Sequence, residues 1–245
     1  MKYDIITLFP ELIEQYCSHS IINRAKNNNI ISINTINPRD FTNDKHRTVD
    51  DTPYGGGAGM VLMCEPIFAA HESVQKLENT LTIMLTPQGK PYNQQMAENF
   101  SKKDQLIFIC GHYEGFDERI RTGIDLMEIS LGDFVITGGE LAALAVIDST
   151  ARLLPGVLGK DESSTLDSFS QGLLEYPQYT RPAEFRGMKV PDVLMSWNHK
   201  QIDLWIKKQS LIRTRQRRPD LFEKYTRKTL SQEEKSMIKE YFDKE

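Results

Sequence analysis

The chain has 245 residues, with 30 Lys+Arg against 34 Asp+Glu and a formal net charge of -4. Its 39% hydrophobic and 26% charged residues are those of a globular protein long enough to bury a core, which excludes collagen-like, disordered and disulfide-dense classes. Taken as a sum, the acidity also argues against a nucleic-acid partner, since such proteins carry a basic excess. Cys17, Cys64 and Cys110 stand far apart with no CxxC pair, so reduced thiols are expected rather than a disulfide framework or a four-thiolate zinc site. The N-terminal segment has no long apolar stretch and no small-residue cleavage site, and no apolar run approaches ~20 residues. A cytoplasmic location and no membrane partner are therefore expected.

Up to about residue 155, short apolar runs alternate with helical patterns. Strands are predicted at Asp4–Phe9, Ile30–Ile36, Leu81–Leu85, Leu106–Cys110 and Leu126–Ser130, brief and rich in Ile and Leu, as strands buried on both faces are. Helices are predicted at Glu11–Tyr16, Ser20–Asn27, Pro66–Leu77, Tyr92–Phe100 and Glu140–Leu153, with Pro66 in a first turn. This alternation predicts an α/β fold, a parallel sheet flanked by helices. Residues 159–172, GKDESSTLDSFSQG, are polar and lack an apolar period, which reads as a linker or mobile loop. Beyond it, Pro191–Trp197, Gln201–Arg215 and Ser231–Phe242 read as helices. Ser231 with Glu234 matches a capping box, and Met237, Ile238, Tyr241 and Phe242 share one face. The domain reading is thus 1–158, a linker 159–172, and an all-α unit 173–245.

Charge divides along the same boundary. Residues 170–245 hold 16 Lys+Arg and 11 Asp+Glu, a net of +5, leaving 14 and 23, a net of -9, for 1–169. Lys207, Lys208, Arg213, Arg215, Arg217 and Arg218 belong to the basic run. Such a run is either a solvated helix face or a phosphate-binding surface, where each neutralised phosphate releases counterions.

Three glycine-rich segments each follow a predicted strand: Thr86–Gly89, Gly111–Gly115 and Leu131–Glu140. Parallel sheets bind ligands beyond the carboxyl ends of their strands, and glycine there lets backbone approach a ligand. Neither a dinucleotide G-x-G-x-x-G nor a P-loop is present, nor a paired-His metal spacing. A linker Asp such as Asp167, or an Arg closing a helix pattern such as Arg152, carries no chemistry on pattern alone.

Taken together, these segments resemble the bacterial tRNA (guanine-N1)-methyltransferases that modify position 37, of the knotted SPOUT class. The resemblance runs from LFPE (8–11) through VDDTPYGGGAGM (49–60), LTPQGKPYNQ (85–94), CGHYEGFDERI (110–120), SLGDFVITGGEL (130–141), RLLPGVLG (152–159) and LDSFSQGLLEYPQYTRP (166–182) to VPDVLMSWNH (190–199) and RTRQRRPDL (213–221). It departs at His112 and Thr86, where some members carry Arg and Ser. The resemblance implies a deep trefoil knot on the C-terminal side of the sheet, a chain crossing that folding rules make rare. It implies S-adenosylmethionine as methyl donor, held by Thr86, Pro87, Gly89, Gly111, Tyr113, Glu114, Leu131, Gly132, Asp133, Phe134, Val135, Ile136, Gly138 and Gly139. It implies a homodimer with shared active sites and a tRNA partner carrying guanosine 36 followed by guanosine 37. Asp167 corresponds to the general base for the N1 proton, and Arg152 to the cation stabilising charge on guanine O6. A magnesium ion near Glu114 and Asp167 is a further implication. The competing readings are a knotted methyltransferase acting on another RNA atom, and a non-catalytic RNA-binding protein.

Overall fold

In the computed structural model the described residues are 1–158, 167–227 and 230–242, the side chains of 240–242 excepted. The chain forms two compact units, Met1–Asp161 and Glu162–Glu245.

The first unit is built on five strands: β1 (Lys2–Ile6), β2 (Ser32–Ile36), β5 (Thr80–Pro91), β6 (Gln105–Cys110) and β7 (Met127–Ser130). They form one all-parallel sheet in the order β2-β1-β6-β5-β7. Alternation along the central β6 explains why the sheet needs two covers. Leu106, Phe108 and Cys110 enter one core, and Ile107 and Ile109 the other. The first core is closed by α1 (Pro10–Cys17), α2 (Ser20–Asn27), α4 (Gln94–Phe100) and α6 (Glu140–Ala151), the second by α3 (Cys64–Glu72) and α5 (Glu118–Gly123). A two-residue hairpin of β3 (Asp50–Asp51) and β4 (Val61–Leu62) and a 3-10 turn at Pro38–Phe41 complete this unit.

Several predicted bounds are corrected, each for a local reason. The first strand ends at Ile6 rather than Phe9, because the Thr7 hydroxyl accepts the Phe9 amide proton at 2.9 Å and turns the chain. The second starts at Ser32, not Ile30. The helix predicted from Tyr92 starts at Gln94, since Asn93 caps it through Met96 N. The helix predicted to run to Leu77 begins at Cys64 and ends at Glu72, where Ser73 bonds back to Ala70 O. The sixth helix stops at Ala151. Helix α5 was not anticipated, although Asp117 gives it an N-cap, accepting from Arg119 N at 2.9 Å.

The second unit holds α7 (Asp192–Met195), α8 (His199–Arg217), α9 (Pro219–Thr226) and α10 (Gln232–Phe242). The all-α expectation is corrected by a hairpin of β8 (Glu184–Phe185) and β9 (Met188–Lys189). Helix α8 exceeds its predicted span at both ends, Asn198 capping Gln201 N, and α7 is shorter than the Pro191–Trp197 expected. Helix α9, not anticipated, starts on Pro219, whose missing N–H costs nothing in a first turn. The capping box at α10 forms reciprocally: Ser231 N to Glu234 Oε2 at 2.8 Å, and Glu234 N to Ser231 Oγ at 3.1 Å. Leu173, Leu211 and Tyr225 make the core, with Met237 and Ile238 packed on it. The side chains of Tyr241 and Phe242 lie outside the described residues, as do residues 159–166 of the predicted linker. Its remainder is a hydrogen-bonded turn, with Phe169 N on Leu173 O at 2.7 Å and Glu175 N on Ser168 Oγ at 3.0 Å.

Candidate functional site

A cavity of about 280 Å³ opens in the first unit beyond the carboxyl ends of β5, β6 and β7. That is just under the size range for small-molecule sites, ~300–1,000 Å³. Its walls are the three glycine-rich segments. Strand β5 supplies the first by interrupting its own pairing: Leu85 and Lys90 both register with Ile129, so Thr86–Gly89 loops out as a bulge. The turn after β6 supplies Gly111–Phe116, and the long turn after β7 supplies Leu131 and Phe134–Gly139.

The bulge returns to the sheet with no room for a side chain at Gly89. A Cβ there would lie 2.5 Å from Glu128 C and 2.6 Å from Ile129 C, and closer still to Ile129 N. The β6 and β7 turns touch as tightly, with Gly139 N donating to Gly111 O at 2.9 Å and a Gly139 Cβ excluded at 2.7 Å from Cys110 Cα. This approach of backbone to backbone is the physical reason for glycine at 89 and 139, whereas a Cβ at Gly111 would meet the Phe116 ring at 2.7 Å.

Of the residues expected to hold a ligand, Thr86, Pro87, Gly111, Tyr113, Glu114, Leu131, Phe134, Val135, Ile136, Gly138 and Gly139 line the cavity. Gly89, Gly132 and Asp133 do not. Gly89 packs against the β7 backbone, and Gly132 and Asp133 belong to a tight turn closed by Ser130 Oγ, which accepts from Gly132 N at 3.2 Å. Gln88, His112 and Thr137 lie within the expected glycine-rich walls though not named singly, while Phe116 and Arg121 were not anticipated there. The Asp117 cap is the one signal that could have placed Arg121, one turn into α5. Arg121 donates to Glu128 at 2.9 Å and to Glu118 at 2.9 Å. Burial would lower its guanidinium, but the two carboxylates raise it and keep it charged. Burial, and behind it the Glu140 carboxylate, pushes the Cys110 thiol well above its ordinary range, so this thiol is not a nucleophile.

The wall mixes apolar side chains (Leu85, Leu131, Phe134, Ile136, Ala142) with glycine backbone. Such a lining suits a ligand with a flat heteroaromatic part and a polar tail, as S-adenosylmethionine has.

The two residues expected to do chemistry are not on this wall. Arg152 caps the end of α6, its N–H on Asp148 O at 3.2 Å. Asp167 belongs to the second unit, where it lines a depression with Tyr176, Asp203 and Lys207. Among the described residues no three His, Cys, Asp or Glu side chains converge to hold a metal, and Glu114 and Asp167 belong to different units.

The basic run is uneven. Lys207 Nζ bonds Glu234 at 2.8 Å and Tyr225 Oη at 2.8 Å inside the unit. Burial would raise the Glu234 carboxyl, but Lys207 and Tyr225 outweigh it and hold it at about 2. Lys208, Arg213 and Arg215 are half-buried on α8. Arg217 is exposed, and Arg218 is exposed and chelated by Asp220 at 2.8 and 2.6 Å. No described helix is long and apolar enough to cross a membrane.

Comparison with known proteins agrees with this picture. A family model described as tRNA (Guanine-1)-methyltransferase TrmD matches residues 1–224. Proteins named tRNA (guanine-N(1)-)-methyltransferase from Staphylococcus aureus strains JH9, N315 and Newman are each 54% identical to this chain over 241 residues, covering 98% of it and 97% of the relative.

Proposed function

The chain belongs to the tRNA (guanine-1)-methyltransferase TrmD family, and from that premise we propose that it transfers a methyl group from S-adenosylmethionine to N1 of guanosine 37 in tRNAs where guanosine 36 precedes it. The observation that carries this reading is the glycine-walled cavity at the ends of β5, β6 and β7, whose lining residues include eleven of those the resemblance implied. Its crossing backbones at Gly89 and Gly139 support a trefoil knot in which the chain after β7 passes back over the β6 turn.

When bound, S-adenosylmethionine supplies an electrophilic methyl on a sulfonium that leaves as a neutral thioether, so no general acid is needed. The protein's task is the guanine. Its N1 lone pair becomes available only as the N1 proton leaves, and the Asp167 carboxylate takes that proton as the new N–CH3 bond forms and the S–CH3 bond breaks. Carboxylates as a class are weak bases for this proton. The Arg152 guanidinium offsets that weakness by stabilising the negative charge spreading onto O6. Holding the methyl donor and guanine in contact contributes the proximity. No step is assigned to magnesium.

The exposed Arg217 and Arg218, with Arg213, Arg215 and Lys208 behind them, are proposed to hold tRNA phosphates; Lys207 is committed inside its unit. Exposed apolar side chains on the first unit, Phe9, Leu12, Tyr16 and Leu141, support self-association as a homodimer. The reaction places the enzyme in the cytoplasm with its tRNA. The deciding experiment incubates the protein with labelled S-adenosylmethionine and an unmodified transcript bearing guanosines 36 and 37, and maps the product. Methyl at N1 of guanosine 37 is expected. Methyl on another RNA atom would favour a different target, and no transfer would favour a binding protein.

A further inference from the structure

One buried polar chain touches the cavity wall without taking part in the chemistry above. Glu140, in the first turn of α6, is 2% exposed. Its Oε1 accepts from Thr7 Oγ1 at 2.5 Å, and its Oε2 meets His112 Nε2 at 2.7 Å. Thr7 is fully buried at the end of β1, and its hydroxyl in turn accepts from Phe9 N at 2.9 Å. The Phe9 ring closes over the His112 ring at 4.8 Å between centroids. His112 itself lines the cavity.

We propose that Thr7, Glu140 and His112 form a positioning anchor that fixes the spacing of the two turns holding S-adenosylmethionine, with His112 as its positioning residue at the wall. This rests on the functional reading above and deepens it. A buried carboxylate is costly unless its oxygens are satisfied, and an apolar side chain would fill the same space without that cost. Here both oxygens are satisfied by groups from two other parts of the chain, and the N-terminus of α6 favours the charge. A fully satisfied network of this kind rigidifies what it connects.

What it connects is specific. His112 belongs to the turn after β6, Glu140 opens α6 directly after the β7 turn, and Thr7 follows the last residue of β1. The fit leaves no slack: a Cβ on Gly138 would lie 2.5 Å from His112 Nε2 and 2.6 Å from Glu140 Oε2. The backbone bond from Gly139 to Gly111 lies beside this contact, so the two turns are pinned at one backbone and one side-chain point. His112 thus acts through the turns and touches no reacting atom.

The test uses the full chain and S-adenosylmethionine alone. Calorimetry is expected to show affinity about tenfold weaker in His112→Ala and several-fold weaker in Thr7→Val, which removes one donor at nearly constant volume. Hydrogen exchange without ligand is expected to quicken in 111–116 and 131–139 in both variants. With tRNA and saturating methyl donor, kcat is expected to fall far less than affinity. His112→Arg, a longer donor to the same carboxylate, is expected to recover most of the affinity. Unchanged affinity and exchange in both alanine and valine variants would overturn the anchor. So would a large loss of kcat with affinity intact. A wild-type protein that binds no S-adenosylmethionine would instead overturn the functional reading beneath it.

Discussion

Replacing Gly89 by Ala tests whether the cavity wall depends on a backbone crossing. The added Cβ would meet Glu128 C at 2.5 Å and Ile129 C at 2.6 Å. Carbon atoms rest at about 3.5–4.0 Å, so one backbone must move by about 1 Å. Neither is free to do so, because Lys90 and Pro91 re-enter the sheet against Ile129 and Ser130 immediately afterwards. Overpacking of this kind costs about 1–3 kcal/mol, and rigid backbone on both sides puts Gly89→Ala at about 3 kcal/mol. For a unit of this size the melting temperature should fall by about 6–12 °C. The displaced bulge carries Thr86 and Pro87, so affinity for S-adenosylmethionine should drop by about tenfold as well. Gly57→Ala is the control, since its Cβ would meet only Pro53 Cγ at 3.4 Å. Thermal denaturation and calorimetry read both effects. A Gly89→Ala protein melting within 2 °C of wild type and binding equally well would refute the crossing argument.

Further outcomes are expected elsewhere. Asp167→Ala should abolish methyl transfer while leaving S-adenosylmethionine binding nearly intact; lost cofactor affinity would make the residue structural. Replacing Arg217 and Arg218 by Ala should make the slope of log affinity for tRNA against log salt shallower by about 1.5, and an unaltered slope would remove them from the interface. The Glu234 carboxyl, held at about 2 against an ordinary 4.5, gives a pH prediction. Its folded pKa is depressed, so its contribution is present above pH 4.5 and is lost as pH falls toward 2. Solvent screening of this partly exposed pair reduces that contribution to on the order of 1 kcal/mol. Acid titration of wild type against Glu234→Gln should show the loss in wild type and a flatter curve in the variant. Equal curves would mean the Lys207 pair contributes nothing.

Much of the architecture was legible because local chemistry dictated it. The apolar run Leu106–Cys110 reads as a strand buried on both faces, and β6 carries it. The Ser231–Glu234 pair could only open a helix. The division of charge between the two units was likewise countable, and it corrected the inference from the net acidity, which averaged two unlike parts. Where prediction failed locally, a single side chain had changed the outcome: the Thr7 hydroxyl ended β1 early, and Asn93 delayed α4.

The candidate site was legible only in part. Glycines after three strands marked a shared ligand wall, because backbone approach requires them. Their individual duties were not readable. Gly89 looks like Gly111 in sequence, yet one answers to the backbone of β7 and the other lines the cavity. Nothing near residue 7 or residue 140 announces that Thr7 and Glu140 meet His112, since that contact spans 133 residues between the first pair. The sequence by itself determined the five strands of the sheet, most of the longer helices, the charge division and the family, since each is set by local composition or by long motifs. Which glycine lines the cavity and which faces chain, which lysine is committed inside its unit, and which buried carboxylate holds the wall were decided by tertiary packing, because each depends on what a distant segment brings within a few ångströms.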